Sequence, residues 1–204
     1  MTRVTRKTTE SKMEVCVSPP PVDAQYRSKI QTPLPFLNHM IEHLVWRSGY
    51  NIETAIELPD FNLTHVVCED LGITVGKAFA AQLKKNIPHG VYGFGDGIGI
   101  IDEARAFAAI SFESRAYFSL EAEEIPALCE GMDSADLSTF LEGFAQGACC
   151  TLQVQLQTGV NGHHIWEAIY RAVGLALGRA LEQHPERAGM TAGVAGGITF
   201  EVEG

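Results

Sequence analysis

The pentapeptide His163-His164-Ile165-Trp166-Glu167 opens a long amphipathic stretch, and a damaged copy of it, His65-Val66-Val67-Cys68-Glu69, stands 98 positions earlier. The match continues past the polar residues. Val75-Gly76-Lys77-Ala78 falls opposite Val173-Gly174-Leu175-Ala176, and Leu83 opposite Leu181, at the same offset. Upstream of each copy lies a helix-like stretch followed by an alternating strand: Phe36 to Arg47 then Tyr50 to Leu58, and Ala135 to Gln146 then Thr151 to Gln157. A register held over that distance constrains the chain to a tandem duplication of a strand, helix, strand, helix unit. The expected division is 1–92 and 93–204, two pseudo-repeats of one compact unit.

A chain of 204 residues that is 46% hydrophobic can bury a real core. It has no run of 18 apolar residues, and Thr2 to Lys12 is polar and basic rather than leader-like. A cytoplasmic protein with no membrane partner is therefore expected. Cys16, Cys68, Cys129, Cys149 and Cys150 form an odd set without CxxC spacing, which argues against a disulfide framework or a thiolate zinc knot. The net charge of −10 speaks against a nucleic-acid surface, because phosphate neutralisation needs clustered cations. It does not exclude a small anionic substrate, which a few local arginines can hold.

Punctuation sets the layout. Pro19-Pro20-Pro21 ends the first expected strand, Met13 to Val17, and Thr32-Pro33-Leu34-Pro35 leads into the first helix. Gly90, Gly93, Gly95, Gly97 and Gly99 fall within ten residues with no Gly-Lys-Ser/Thr after them, so this stretch reads as a turn or linker between halves rather than a nucleotide loop. Ala104 to Leu120 alternates as one or two strands, and Gly159-Val160-Asn161-Gly162 turns the chain into the His163 helix.

Two adjacent imidazoles followed by a carboxylate make poor core filler and good metal ligands. On a helix His163 and Glu167 are i,i+4 neighbours and His164 and Glu167 are i,i+3, so each ring can share a face with the carboxylate while the rings diverge. His39 and His43 form a second i,i+4 pair with Glu42 beside them, a competent clasp for a metal or a contact for substrate; the plainer reading of His43 is a packed or surface histidine. Glu10 and Glu103 are either catalytic acid–base groups or solvated carboxylates. Trp166, Phe140 and Phe144 read as helix core.

Phe36-Leu37-Asn38-His39-Met40, the two HHxxE-like segments, Asp102-Glu103-Ala104, Ser114-Arg115 and Thr9-Glu10-Ser11-Lys12, in order through nearly the whole chain, resemble the imidazoleglycerol-phosphate dehydratases, hydro-lyases of histidine biosynthesis. The resemblance implies an α+β fold, a tandem duplication of a four-stranded sheet backed by two helices (ribosomal protein S5 domain 2-like half-domains). It also implies a homo-oligomer built of trimers and then 24-mers, with paired manganese sites at subunit boundaries. Of the family's eight metal ligands, His39, His65, Glu69, His163, His164 and Glu167 match; the remaining two positions hold Val66 and Thr139. Valine cannot ligate, and a hydroxyl is a weak ligand beside imidazole and carboxylate.

The same resemblance places Arg115 at the family's phosphate-binding turn. A second expected arginine is Gly93, and the C-terminal Ser-Lys-Gly clamp is replaced within Gly193-Val194-Ala195-Gly196-Gly197. It further implies proton transfer by Glu10, Glu167 or Glu103, charge stabilisation by a divalent transition metal, manganese or zinc, and anchoring of an anionic tail by Arg115. The expected substrate is an imidazole-bearing small molecule, phosphorylated or not, turned over more slowly than in complete family members. The competing expectation is a non-catalytic paralogue serving as a binding or regulatory subunit.

Overall fold

The chain runs β1 (Thr2–Lys7), β2 (Lys12–Ser18), α1 (Tyr26–Lys29), α2 (Pro35–Ser48), β3 (Asn51–Glu57) and α3 (Thr64–Asn86), then β4 (Phe94–Ile101), β5 (Ala104–Ser111), β6 (Tyr117–Glu121), the short pair β7 (Leu128–Cys129) and β8 (Met132–Asp133), α4 (Ser134–Ala148), β9 (Thr151–Thr158) and α5 (Gly162–Ala180). This computed structural model describes residues 1–59, 63–199 and 201. The order strand, strand, helix, strand, helix occurs twice, and the fold is mixed α+β with sheets backed by helices.

The first sheet has the order β1-β2-β3, all antiparallel, with Val4 opposite Val15 and Val15 opposite Thr54. The second has the order β4-β5-β9-β6, with β6 parallel to β9. Among the described residues the first sheet thus carries three strands against four in the second. Beside β3 the edge is irregular: Gln31 reaches it only through the Thr54 hydroxyl, donating its N–H at 2.7 Å and accepting at 3.1 Å.

Alternation puts Met13, Val15 and Val17 of β2 and Ala104, Ala106 and Ala108 of β5 against the helices, where all are buried. The helices of one half pack on those of the other, α3 on α4 and α2 on α5. Glycine makes these seams. A Cβ at Gly72 or Gly76 of α3 would strike the carbonyls of Phe140 or Phe144, and one at Gly147 of α4 the carbonyl of Ile73. Trp166, Phe140 and Phe144 are fully buried, as their helical spacing suggests.

The glycine-rich stretch corrects a reading made from sequence: from Phe94 onward it is a strand, not a linker. Gly95, Gly97 and Gly99 all face α5, whose backbone lies so close that a Cβ would meet Ala176, Ala172 and Ala168, while Phe94, Ile98 and Ile100 point outward. Glycine usually weakens a strand, but here it admits a helix backbone to contact distance. Four cysteines are buried, Cys149 is exposed, and all five are free. No helix among the described residues is long and apolar enough to cross a membrane.

Candidate metal centre and anion cavity

Capping starts the two helices that carry most of the site. Pro35 opens α2 where its missing N–H costs nothing, and Gly49 in the left-handed region (φ 78°) ends it. The Asn161 side chain accepts the His163 N–H at 2.9 Å, so His163 and His164 stand in the first turn of α5. Because α2 packs on α5, rings from the one meet the carboxylate of the other.

Glu167 is 4% exposed and lies at the centre of this cluster. Its Oε2 lies 3.5 Å from His39 Nε2 and 3.4 Å from His163 Nε2, and its Oε1 lies 3.3 Å from His43 Nε2. His39 Nε2 and His43 Nε2 are 3.3 Å apart. One donor atom each from His39, His43 and Glu167 falls within 4.8 Å of the others, a spacing and a donor set that fit a divalent transition metal. Glu42, expected beside this pair, has its Oε2 3.5 Å from His39 Nδ1, and two groups that the sequence reading missed stand around them: Arg171 pairs closely with Glu167 Oε1 from one turn further along α5, and Glu130 Oε1 lies 3.1 Å from His163 Nδ1. Arg171 was discoverable from its i,i+4 spacing to Glu167; Glu130 comes from a distant turn and had no signal.

Burial pushes the His43 imidazole down to about 4, against the pull of Glu167, so the ring is neutral near pH 7 and free to ligate. Burial alone would raise Glu167, but the positive charges available from His43, Arg171, His39 and His163 outweigh it and hold the carboxyl below its ordinary range.

His164 turns away from this group. Its Nδ1 is 2.8 Å from Glu103 Oε2, which raises the imidazole, and its Nε2 is 3.7 Å from Asp102 Oδ2. The backbone N–H of Asn161, then His164, hold the Glu103 carboxyl down at about 2. His65 and Glu69 form a third, more exposed group: His65 Nε2 is 3.8 Å from Glu69 Oε2, and its Nδ1 is 3.5 Å from Asp136 Oδ1. Asp136 was also missed; it stands one turn before Thr139, whose hydroxyl donates to the Ala135 carbonyl at 2.9 Å. The expected metal residues therefore divide into three groups, with His39, His163 and Glu167 brought together and His43 joining them. Glu10 lies exposed in the turn between β1 and β2, its N–H bonded to Thr8 Oγ1.

Arg115 lines a cavity of about 410 Å³ with Lys77 and Lys84 of α3, Glu113 and the backbone of Gly193, Gly196 and Gly197. Neither lysine stood out in the sequence, because their seven-residue spacing matters only once α3 is seen to bring both to Arg115. Gly93 is left-handed (φ 66°), and a Cβ there would collide with Ala192. A second cavity, about 800 Å³ at the C-terminal ends of α2, α3 and α5, contains none of the expected site residues.

Comparison with known proteins points to one family. The sequence profile of the imidazoleglycerol-phosphate dehydratase family matches residues 32–177. The chain is 30% identical over 170 residues to the imidazoleglycerol-phosphate dehydratase of Metallosphaera sedula, covering 83% of this chain and 86% of that protein. It is 32% identical over 170 residues to that of Caldivirga maquilingensis, covering 83% and 84%. The crystal structure of the dehydratase from Pyrococcus furiosus superposes with a TM-score of 0.78 at 26% identity, covering 96% of this chain and all of that one (100%).

Proposed function

Because the chain belongs to the imidazoleglycerol-phosphate dehydratase family, we propose that it is a metal-dependent hydro-lyase acting on imidazoleglycerol phosphate or a close imidazole-bearing analogue, with its activity on the former reduced. The observation that carries this reading is the convergence of His39 and His163, from two helices, on the buried Glu167 carboxylate. His65, Glu69 and His164 are the remaining expected ligands. A divalent ion held by such groups supplies positive charge that stabilises an imidazole ring as it loses a proton. Glu103, 2.8 Å from His164 Nδ1, is placed for proton transfer, with Glu167 or Glu10 as further carboxylates for it. Arg115, with Lys77 and Lys84, would hold an anionic tail.

The metal cluster and the cation cavity lie at opposite ends of one chain. His164 meets Glu103 at one end of β4, whereas the Gly93 N–H bonds to the Ala180 carbonyl at the other, near Ser111 and Arg115. That is about 25 Å along α5, too far for a three-carbon side chain to bridge. The separation supports a homo-oligomer of the family's trimer-based kind, in which one copy brings its cavity to another's metal cluster, and the two halves meeting near residue 92 belong to the same reading.

A second reading, a non-catalytic binding or regulatory subunit, is favoured by Val66 and by Thr139, whose hydroxyl is already engaged. Turnover of imidazoleglycerol phosphate by metal-loaded protein separates the two. We expect a rate well below the ordinary ~10 s⁻¹, rising when Val66→His and Thr139→His are combined. An ordinary rate in the natural chain would refute reduced activity, and no turnover in either protein would favour the second reading.

A further inference from the structure

We propose that Glu113 is a specificity-determining residue of the Arg115 cavity: its carboxylate, set among the cations there, turns the cavity against a phosphate dianion and toward a zwitterionic tail, an ammonium group beside a carboxylate. The inference rests on the dehydratase reading above for the imidazole half of the ligand and names the chemistry of the other half.

A fixed turn delivers both charges. Between β5 and β6, Phe112 is buried and donates its N–H to the Gly93 carbonyl at 2.8 Å, Ser114 is left-handed (φ 61°), and the Thr151 hydroxyl donates to the Arg115 carbonyl at 3.3 Å. Glu113 and Arg115, one on each side of Ser114, both line the cavity. The Ser111 hydroxyl donates to Glu113 Oε1 at 2.9 Å, and a Cβ on Gly193 would stand 3.0 Å from Glu113 Cγ and 3.3 Å from its Oε2. The missing side chain at Gly193 therefore makes room for the carboxylate against the C-terminal wall, where the Thr191 hydroxyl donates to the Gly193 carbonyl at 2.8 Å.

Charge then decides what fits. The charged side chains on the wall are Lys77, Lys84 and Arg115 against the one carboxylate of Glu113. A round cavity of about 410 Å³ would be about 9 Å across, close to one Debye length at physiological salt, so screening does not isolate a bound anion from any charge on the wall. A phosphate dianion offers acceptors alone, which the cations satisfy and Glu113 repels. A zwitterion gives Glu113 an ammonium partner while its own carboxylate takes the guanidinium fork of Arg115. A like charge placed against one of two ligands of similar size is how a site separates them.

The test compares glycerol phosphate with serine, tail-sized probes that lack the imidazole ring, by calorimetry on the full-length protein. Glu113→Gln keeps the acceptor for Ser111 and the packing at Gly193 and removes only the charge. We expect it to tighten glycerol phosphate binding by about tenfold at low salt, the cost of two like-charge contacts at about 6 Å in water, with the difference narrowing as salt rises. It should weaken serine, which the natural chain binds. Glu124→Gln, in a different cavity, should change neither, and Arg115→Gln should lose both. Unchanged glycerol phosphate affinity in Glu113→Gln, an equal gain in Glu124→Gln, binding that survives Arg115→Gln, or serine that fails to bind the natural chain or binds Glu113→Gln as well would each overturn the proposal. In turnover of imidazoleglycerol phosphate the same variant should lower KM and leave kcat alone. Absence of turnover bears on the dehydratase reading and leaves the calorimetry untouched.

Discussion

The Nδ1 atom of His164 lies 2.8 Å from Glu103 Oε2, and the same carboxylate accepts the N–H groups of Asn161 at 2.9 Å and Val160 at 3.3 Å. One side chain thus both raises a site histidine and fastens the loop that leads into its helix.

Replacing Glu103 by Gln should therefore lower the His164 titration midpoint, followed by proton NMR of the ring, because the carboxylate that favours the imidazolium is gone. The Glu103 carboxyl is itself depressed. What it contributes to stability is present above its ordinary 4.5 and is lost as pH falls toward about 2. Acid denaturation of the natural chain should show that loss, and the Gln variant should not. An unmoved His164 midpoint would contradict the assignment.

His43 gives the opposite window. Its folded value of about 4 lies below the ordinary 6.5, so the unfolded chain binds more protons between those values, and metal-free stability should fall as pH drops from 6.5 to 4. Urea denaturation at several pH values should show that slope, and His43→Gln should flatten it. An equal slope in both proteins would mean that the ring is not desolvated.

Gly97→Val should cost about 1–3 kcal/mol or more, as overpacking does, since a Cβ at Gly97 would stand 2.6 Å from Leu175 Cβ and 2.7 Å from the Ala172 carbonyl. The neighbouring Ile98→Thr, on the outward face at 55% exposure, should change stability by only about 0.5 kcal/mol. Thermal melts of the two variants compare the faces directly.

Lys77→Ala and Lys84→Ala should each weaken binding of a phosphorylated ligand by about tenfold, the effect of losing one charge-assisted contact of about 1.5 kcal/mol. Both line the Arg115 cavity, whereas Lys85 lines a different one. Calorimetry with Lys85→Ala as control should show the loss in the first two variants alone.

Periodicity made the helices and the inner strands legible, because Met13, Val15 and Val17 alternate and Phe140, Phe144 and Trp166 keep a helical stripe. Strand β1 escaped notice: of its inward residues Thr2, Val4 and Arg6, only valine is apolar, and Arg6 is there because it pairs with buried Asp70. Strand β4 was misread because turn glycines and packing glycines look alike until the helix that presses on them is known. Within the site, His39 and Glu167 could be placed together from the family pattern. The roles of Glu130, Asp136 and Lys84 arise only from contacts between distant segments, which a linear reading does not contain.

Gly93 closes one route to a stronger anion site. With φ at 66° and Ala192 occupying the space a side chain would need, an arginine cannot simply be introduced at this position. Backbone shape and the C-terminal segment would have to change first, and any intermediate carrying only one of these changes would be strained or loosely closed. Positive charge for the cavity is therefore more easily supplied from a helix such as α3, which already presents Lys77 and Lys84, than from position 93.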